Sequence, residues 1–185
     1  MILIRSFDII FSFLGIIFFF PLLFVIYIFG MFENGSPLFI QERVGKDRKP
    51  FNLVKFRTMD IKTAWVASHL ANNVSFTFFG KFLRKTKLDE LPQLWNVIVG
   101  DMSIVGPRPN LYNQKKLIKE RVKLGVYEVR PGITGLSQIQ QIDMSTPILL
   151  AKTDKEMIET FTKIEYFKYI LVTLLGKGFG DKIKI

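Results

Sequence analysis

Cysteine is absent from this 185-residue chain, and histidine occurs once, as His69. The first absence excludes a disulfide framework, a thiolate nucleophile and a Cys-based metal site. The second removes the His-dependent triads and most zinc sites. Catalysis must therefore run on carboxylates, hydroxyls and cations. Acidic residues are scarce as well: 16 Asp and Glu stand against 26 Lys and Arg, for a net charge of +10. That balance points to an anionic partner, whether nucleic acid, anionic lipid or a phosphorylated substrate. The length suits one domain with a real core rather than two. Hydrophobic residues make up 49% of the chain and Phe alone occurs 19 times, heavy for a soluble basic domain.

Nine of those 19 phenylalanines lie before residue 33. From Ile9 to Phe32 the run "IIFSFLGIIFFFPLLFVIYIFGMF" carries no charge. A helix needs about 20 apolar residues to cross a bilayer, so this run can reach. It exceeds a signal-peptide core, and no small-residue cleavage site follows it. Pro21 sits mid-run, where it removes one helical hydrogen bond and bends the helix. Two topologies stay open: a spanning anchor, or a run bent sharply enough to enter and leave by one face. Arg5 precedes the run and Arg43, Lys46, Arg48 and Lys49 follow it, so both flanks carry the charge that favours the cytoplasmic side. Arg5 and Asp8 are spaced i,i+3 and would meet at the headgroup level, both ions partly wet.

Beyond residue 32 the pattern changes. "SPLFIQERVG" reads as a turn leading into a short strand, "KDRKP" as a charged turn, and "FNLVKFRTM" as a second strand. In that strand Phe51, Leu53, Lys55 and Arg57 share one face, with Val54 and Phe56 on the other. Lys55 and Arg57 either decorate a solvated strand edge or aim together at phosphate; spacing does not choose. Residues 60–80 show no clean period and read as a loop with a helical turn, carrying His69.

The segment "KLDELPQLWNVIVGDMSIVGPRP", residues 87–109, holds two adjacent carboxylates ahead of an apolar helix. Leu91, Leu94, Trp95 and Ile98 recur at i, i+3, i+4 and i+7, and Gly100 suits the C-terminal cap. Pro92 belongs in a first turn, which starts the helix near Leu88 or Asp89. There the helix dipole and free N–H groups favour ionised Asp89 and Glu90. Ordinary capping accounts for the acids on this segment alone, because acidic first turns are common. The alternative is a carboxylate nucleophile or metal ligand, kept charged by Arg84, Lys85 and Lys87. Pro107 and Pro109 hold Arg108 in an extended frame suited to a bidentate phosphate contact. "VRPGITG" repeats the device with Arg130, Pro131, Gly132 and Gly135, whose glycines would let backbone N–H groups approach an anion.

Together these motifs resemble the bacterial sugar transferases that begin glycoconjugate assembly, the small monotopic phosphoglycosyl transferases. The resemblance runs in order through Arg5-x-x-Asp8, the apolar run broken at Pro21, "KFRTM", "LDELPQLWNV", "GDMSIVGPRP" and "VRPGITGLSQ". It implies a mixed α+β, mostly helical fold, with a re-entrant membrane helix over 1–33 and interfacial amphipathic helices. The catalytic domain, 34–185, would hold a small sheet and a membrane-surface active site on the cytoplasmic face of the bacterial inner membrane. It also implies transfer of a sugar 1-phosphate from a UDP-sugar to undecaprenyl phosphate. By that match Asp89 is the nucleophile of a covalent phosphosugar-aspartyl intermediate and Glu90 assists it. Mg²⁺ would bridge Asp89 to the donor phosphates, with Glu90 either placing the metal as a second ligand or handling a proton. Lys55, Arg57, Arg84, Arg108 and Arg130 would bind phosphate. The family usually has serine before the proline of the membrane helix, and here Phe20 stands there. Asp143 or Asp154 would stand where relatives carry a further acid.

Near the C-terminus, Met157, Phe161, Ile164, Leu171 and Leu175 mark one side of an amphipathic helix with Lys163 and Lys168. It would pack into the core or lie on anionic headgroups. "GKGFGDKIKI" reads as a basic flexible tail. Two other classes compete. A membrane-tethered nucleic-acid binder explains the charge but not the acidic doublet, and no nucleic-acid motif is present. A membrane scaffold explains the anchor but not the proline-framed arginines.

Overall fold

The computed structural model describes residues 2–61 and 76–176; His69, most of the stretch read as a loop and nearly all of the basic tail lie outside them. The chain begins with a long helix, α1 (Ile2–Asn34), followed by a hairpin of β1 (Leu38–Val44) and β2 (Pro50–Phe56). Next come α2 (Phe78–Thr86), a 3₁₀ turn over Leu88–Glu90, α3 (Gln93–Val99), β3 (Ser103–Val105) and α4 (Lys115–Lys123). A 3₁₀ turn at Val126–Glu128 leads to β4 (Gly132–Thr134), α5 (Leu136–Ile139), α6 (Pro147–Glu159) and α7 (Lys163–Leu174). The expected mostly helical α+β architecture is present. Its sheet content is two separate pairs, β1–β2 antiparallel and β3–β4 parallel.

The first helix is the one described element long and apolar enough to cross a membrane. It runs on as one helix through Pro21. One stripe faces the rest of the molecule: Asp8, Ser12, Ile26 and Gly30 are buried, at the 3–4-residue spacing that keeps side chains on one helix face. Small residues let neighbours come close. A Cβ at Gly15 would sit 3.1 Å from Leu94, and one at Gly30 would sit 2.8 Å from Pro37. The other side is apolar and bare, with Phe18 77% and Phe32 87% exposed. So extensive an exposed apolar surface is what a lipid-facing element presents.

Contacts along α1 run from end to end. Arg5 donates to the carbonyls of Val97 (2.7 Å), Ile98 (3.2 Å) and Met102 (3.2 Å), satisfying the free end of α3. Ile26 packs with Phe56 and Leu83 in a cluster that also takes in Leu23, Leu38 and Leu88. Near the last turn, Glu33 accepts from the Phe79 N–H at 3.3 Å. Asp8 differs from expectation. It is 2% exposed rather than wet, and accepts from Ser103 Oγ (3.0 and 2.8 Å), the Ile104 N–H (3.0 Å) and Tyr166 Oη (2.9 Å). Arg5 Nη1 is 3.9 Å from it. The pair therefore works as an internal polar clamp joining α1, β3 and α7.

Several local expectations change. The doublet occupies its own 3₁₀ turn, and α3 starts later with Pro92 as its N-cap, because the αL residue Lys87 (φ 57°) ends α2 directly before it. Gly100 does cap α3, at φ 101°. The buried face of α3 is Gln93, Asn96 and Val97, whereas Trp95 is 56% exposed. Asn96 explains this choice: its side chain accepts from the Val54 N–H (3.0 Å) and donates to the Asn52 carbonyl (2.8 Å), pinning α3 to β2. The single terminal helix is two. Thr162 caps α7 through the Glu165 N–H (3.2 Å), so Met157 is core while Ile164, Leu171 and Leu175 are exposed. The first part of α2, Phe78–Gly80, lies where the sequence pattern reads as loop.

The glycines of the two arginine motifs serve packing. The β3 and β4 backbones nearly touch, so that a Cβ at Gly132 would lie 2.0 Å from the Gly106 nitrogen. Their N–H groups are already used: Gly106 donates to the Thr134 carbonyl (2.8 Å) and Gly132 to the Pro107 carbonyl (2.9 Å). Those two N–H groups are therefore not open to an anion.

Candidate active site

Strand alternation sets the first cation. Phe51 and Leu53 of β2 are buried with Val97 and Met102, and Lys55 continues the same face to the edge of that core. The α2 helix delivers Arg84 in its last turn, where the guanidinium lies 4.8 Å from the Phe76 ring centroid. The segment after β3 delivers Arg108, whose Nη2 donates to Glu90 Oε1 at 3.0 Å. All three cations surround Asp89, which is 5% exposed on its 3₁₀ turn. The acidic doublet, Lys55, Arg84 and Arg108 are thereby brought together from four separate stretches of chain.

The electrostatics are those of a charged group held against its preference. Burial, and then the neighbouring Glu90, push the Asp89 carboxyl up to about 6, while Lys55, Arg84 and Arg108 pull it back. Burial, with Arg84 adding to it, draws the Lys55 ammonium down to about 8. Helix-terminal stabilisation, the effect expected from the sequence, is therefore outweighed at Asp89 by burial and like charge. The carboxylate still stays mostly ionised at neutral pH. Arg43 also lies within range of Lys55 and donates to the Pro109 carbonyl at 3.2 Å.

Two expected phosphate-binding residues sit elsewhere. Arg57, just beyond β2, donates to the Ser36 carbonyl (2.9 Å) and the Leu38 carbonyl (3.1 Å), tying down the start of β1. It shares the Phe39 ring with Lys55, at 5.4 and 5.5 Å from the centroid. Arg130 donates to the Gly100 carbonyl (2.8 Å) beside Arg5, at the opposite end of α3 from the doublet. Asp143 accepts from the Ser145 N–H (2.9 Å) in an exposed turn. Asp154 is wholly buried, with Arg121 Nη2 at 2.6 Å. Burial pushes its carboxyl up; the Arg121 charge and hydrogen bond, and then Ser137, oppose that.

Sequence reasoning missed Arg121 and Asn110. The available signal was faint: Leu117 and Arg121 are i,i+4 on α4, so an arginine occupies the apolar stripe. Among the described residues no group of three or more metal-ligating side chains occurs. Two adjacent carboxylates nevertheless suit Mg²⁺, which takes one or two protein carboxylates and completes its shell with substrate phosphates and water.

Sequence comparison gives the same family. The bacterial sugar transferase family matches residues 1–177. An uncharacterised sugar transferase of Bacillus subtilis is 46% identical over 106 residues, covering 57% of this chain and 52% of the relative. The UDP-glucose:undecaprenyl-phosphate glucose-1-phosphate transferase of Escherichia coli is 36% identical over 157 residues, 80% of this chain and 34% of the relative. The UDP-N-acetylgalactosamine-undecaprenyl-phosphate N-acetylgalactosaminephosphotransferase of Aeromonas hydrophila is 35% identical over 140 residues, 73% and 33% respectively. The chain thus spans about a third to a half of the length of these relatives. With its match covering nearly every residue, the chain belongs to the bacterial sugar transferase family.

Proposed function

We propose that this protein transfers a sugar 1-phosphate from a UDP-sugar to undecaprenyl phosphate, with Asp89 as covalent nucleophile. The observation that carries the reading is a buried, ionisable carboxylate with Lys55, Arg84 and Arg108 around it. Those cations outnumber the doublet, which is what a site meant to receive a diphosphate requires. A carboxylate oxygen of Asp89 attacks the sugar-bearing phosphorus, the phosphoanhydride bond breaks, and UMP leaves with the bonding pair. An oxygen of the lipid phosphate then attacks the same phosphorus and frees Asp89, leaving a sugar on a lipid diphosphate. Splitting the transfer into two displacements is what a covalent carboxylate offers. Arg108 is oriented by Glu90 until a phosphate competes for it. Lys55 and Arg84 offset charge on the entering diphosphate. Mg²⁺, held by Asp89 and Glu90, would supply further neutralisation of the phosphate oxygens.

The site belongs at a membrane surface, where the lipid substrate is found. Both ends of α1 dock on the same body, through Arg5 and Asp8 at one end and Glu33 at the other. Its opposite side is bare and apolar. Those contacts favour entry and exit by one face over a perpendicular crossing, and the basic flanks favour the cytoplasmic face. A cysteine replacing Ser6 tests topology: it should react only with reagents on the cytoplasmic side, and periplasmic labelling overturns the re-entrant arrangement.

The activity test is UMP release by purified protein with undecaprenyl phosphate. UDP-glucose, UDP-galactose, UDP-N-acetylgalactosamine and a diacetamido UDP-sugar form the donor panel, each with and without EDTA. Release that stops with EDTA and with Asp89→Asn is expected, together with a phosphosugar mass adduct on the quenched wild-type protein. Turnover without any such adduct would replace the two-step route by a direct one.

A further inference from the structure

Four successive carbonyls around Arg108 are each held by a donor from a different place. Pro107 accepts from the Gly132 N–H (2.9 Å), Arg108 from Arg121 Nη1 (2.9 Å), Pro109 from Arg43 Nη1 (3.2 Å) and Asn110 from the Val44 N–H (2.9 Å). The segment between β3 and α4 has no ladder of its own, and its two prolines have no N–H to give. Its shape therefore depends on these borrowed donors. Arg121 is the donor at the residue whose side chain meets Glu90.

Arg121 is 1% exposed and its guanidinium is heavily committed. Nε and Nη2 donate to Asp154 Oδ2 at 3.0 and 2.6 Å, and Nη1 donates to both the Arg108 carbonyl and Asn110 Oδ1 at 2.9 Å. The outer members are fixed in turn. Ser137 Oγ donates to Asp154 Oδ1 at 3.1 Å, and Tyr127 Oη donates to Asn110 Oδ1 at 2.9 Å. Buried ion pairs of this kind contribute little net stability compared with apolar residues of similar volume. What the pair does supply is a planar donor, locked in angle, aimed at one backbone oxygen.

We infer that Arg121, oriented by Asp154, is a positioning residue that sets the backbone of Arg108 and so the direction of its guanidinium at the doublet. This rests on the reading that Arg108 grips the donor phosphate. With the carbonyl held by Arg121 and Pro109 following, the Arg108 backbone has little freedom left. Its side chain then spans from a fixed root to Glu90. Displacing that root by about 1 Å would cost on the order of a hundredfold in rate, because the cation would no longer lie where charge develops.

Two variants test this. Arg121→Lys keeps a buried charge for Asp154 but loses the fork that reaches the Arg108 carbonyl. Arg121→Met combined with Asp154→Leu removes both charges at similar volume and guards against misfolding of the first. Each is made with Arg108 intact and with Arg108→Ala. Thermal melting and kcat/KM for the panel's fastest UDP-sugar are measured at saturating undecaprenyl phosphate. With Arg108 present, each folded variant should lose at least about tenfold in kcat/KM; with Arg108→Ala, the further loss should stay under about threefold. Equal losses in both backgrounds, or wild-type activity from either folded variant, overturn the inference. Wild-type activity from Arg108→Ala alone would instead remove the phosphate role of Arg108, a failure of the underlying reading that is visible before any Arg121 substitution is made.

Discussion

Two charged clusters in this molecule use the same residue types to opposite ends. Around Arg121 and Asp154, each polar group meets a partner, and the pair sits in the core with nothing left to offer. Around Asp89, only that carboxyl is buried; Glu90 and the cations are partly exposed, the cations exceed the carboxylates, and the Asp89 carboxyl is pushed up to about 6. A satisfied cluster holds geometry. One with more cations than carboxylates keeps a positive field, the condition that favours an anion.

The contrast between the two clusters should show most strongly in turnover. Asp89→Asn should lower UMP release by about a thousandfold or more, since an amide cannot form the acyl-phosphate bond; residual release within tenfold of wild type would remove Asp89 as nucleophile. Stability should move the other way. The Asp89 carboxyl lies above its ordinary 3.8 when folded, so the folded chain holds an extra proton between that value and about 6. Stability from this group therefore falls as pH rises through that window, and Asp89→Asn should stabilise the protein at pH 7 by about 1–2 kcal/mol. Asp154→Asn should instead cost about 3 kcal/mol, because it strands the buried Arg121 charge. Chemical denaturation of both variants reads the contrast, and two changes of the same sign would erase the distinction drawn between the clusters.

Smaller effects sharpen it. Lys55→Met should lower kcat/KM by about a hundredfold, whereas Arg57→Met, whose partners are the Ser36 and Leu38 carbonyls, should change it less than about threefold. The reverse order would place phosphate at the start of β1. The pH–rate profile should rise through about 6 as Asp89 ionises and fall above about 8 as Lys55 deprotonates. In Lys55→Arg the alkaline limb should vanish; its survival near 8 would assign it to another group. Least of all, Arg48→Gly touches neither cluster. It replaces a side chain at φ 61° in the hairpin turn, next to Asp47 at φ 54°, and should stabilise by about 0.5–1 kcal/mol in the same denaturation assay.

Much of the candidate site's arrangement was legible because its signals are local. The doublet, Arg108 between prolines and Lys55 on an alternating strand can all be read from neighbouring residues. Arg57 and Arg130 looked equivalent to their counterparts for the same reason: alternation and flanking prolines describe a side chain's root, not the partner it meets. The boundary between the 3₁₀ turn and α3, the break at Thr162, and the buried face of α3 all depended on contacts tens of residues away.

Composition and local pattern alone fix an apolar run of membrane length, a chemistry without thiols or a histidine triad, and an acidic pair among cations. Which cations meet that pair, the burial of Asp8 and the reach of Arg121 to the Arg108 backbone follow only once the chain is folded. The physical reason is one of range. Hydrophobic period and turn chemistry act over a few residues, whereas burial and charge act through space, between groups that the chain brings together only when its core closes.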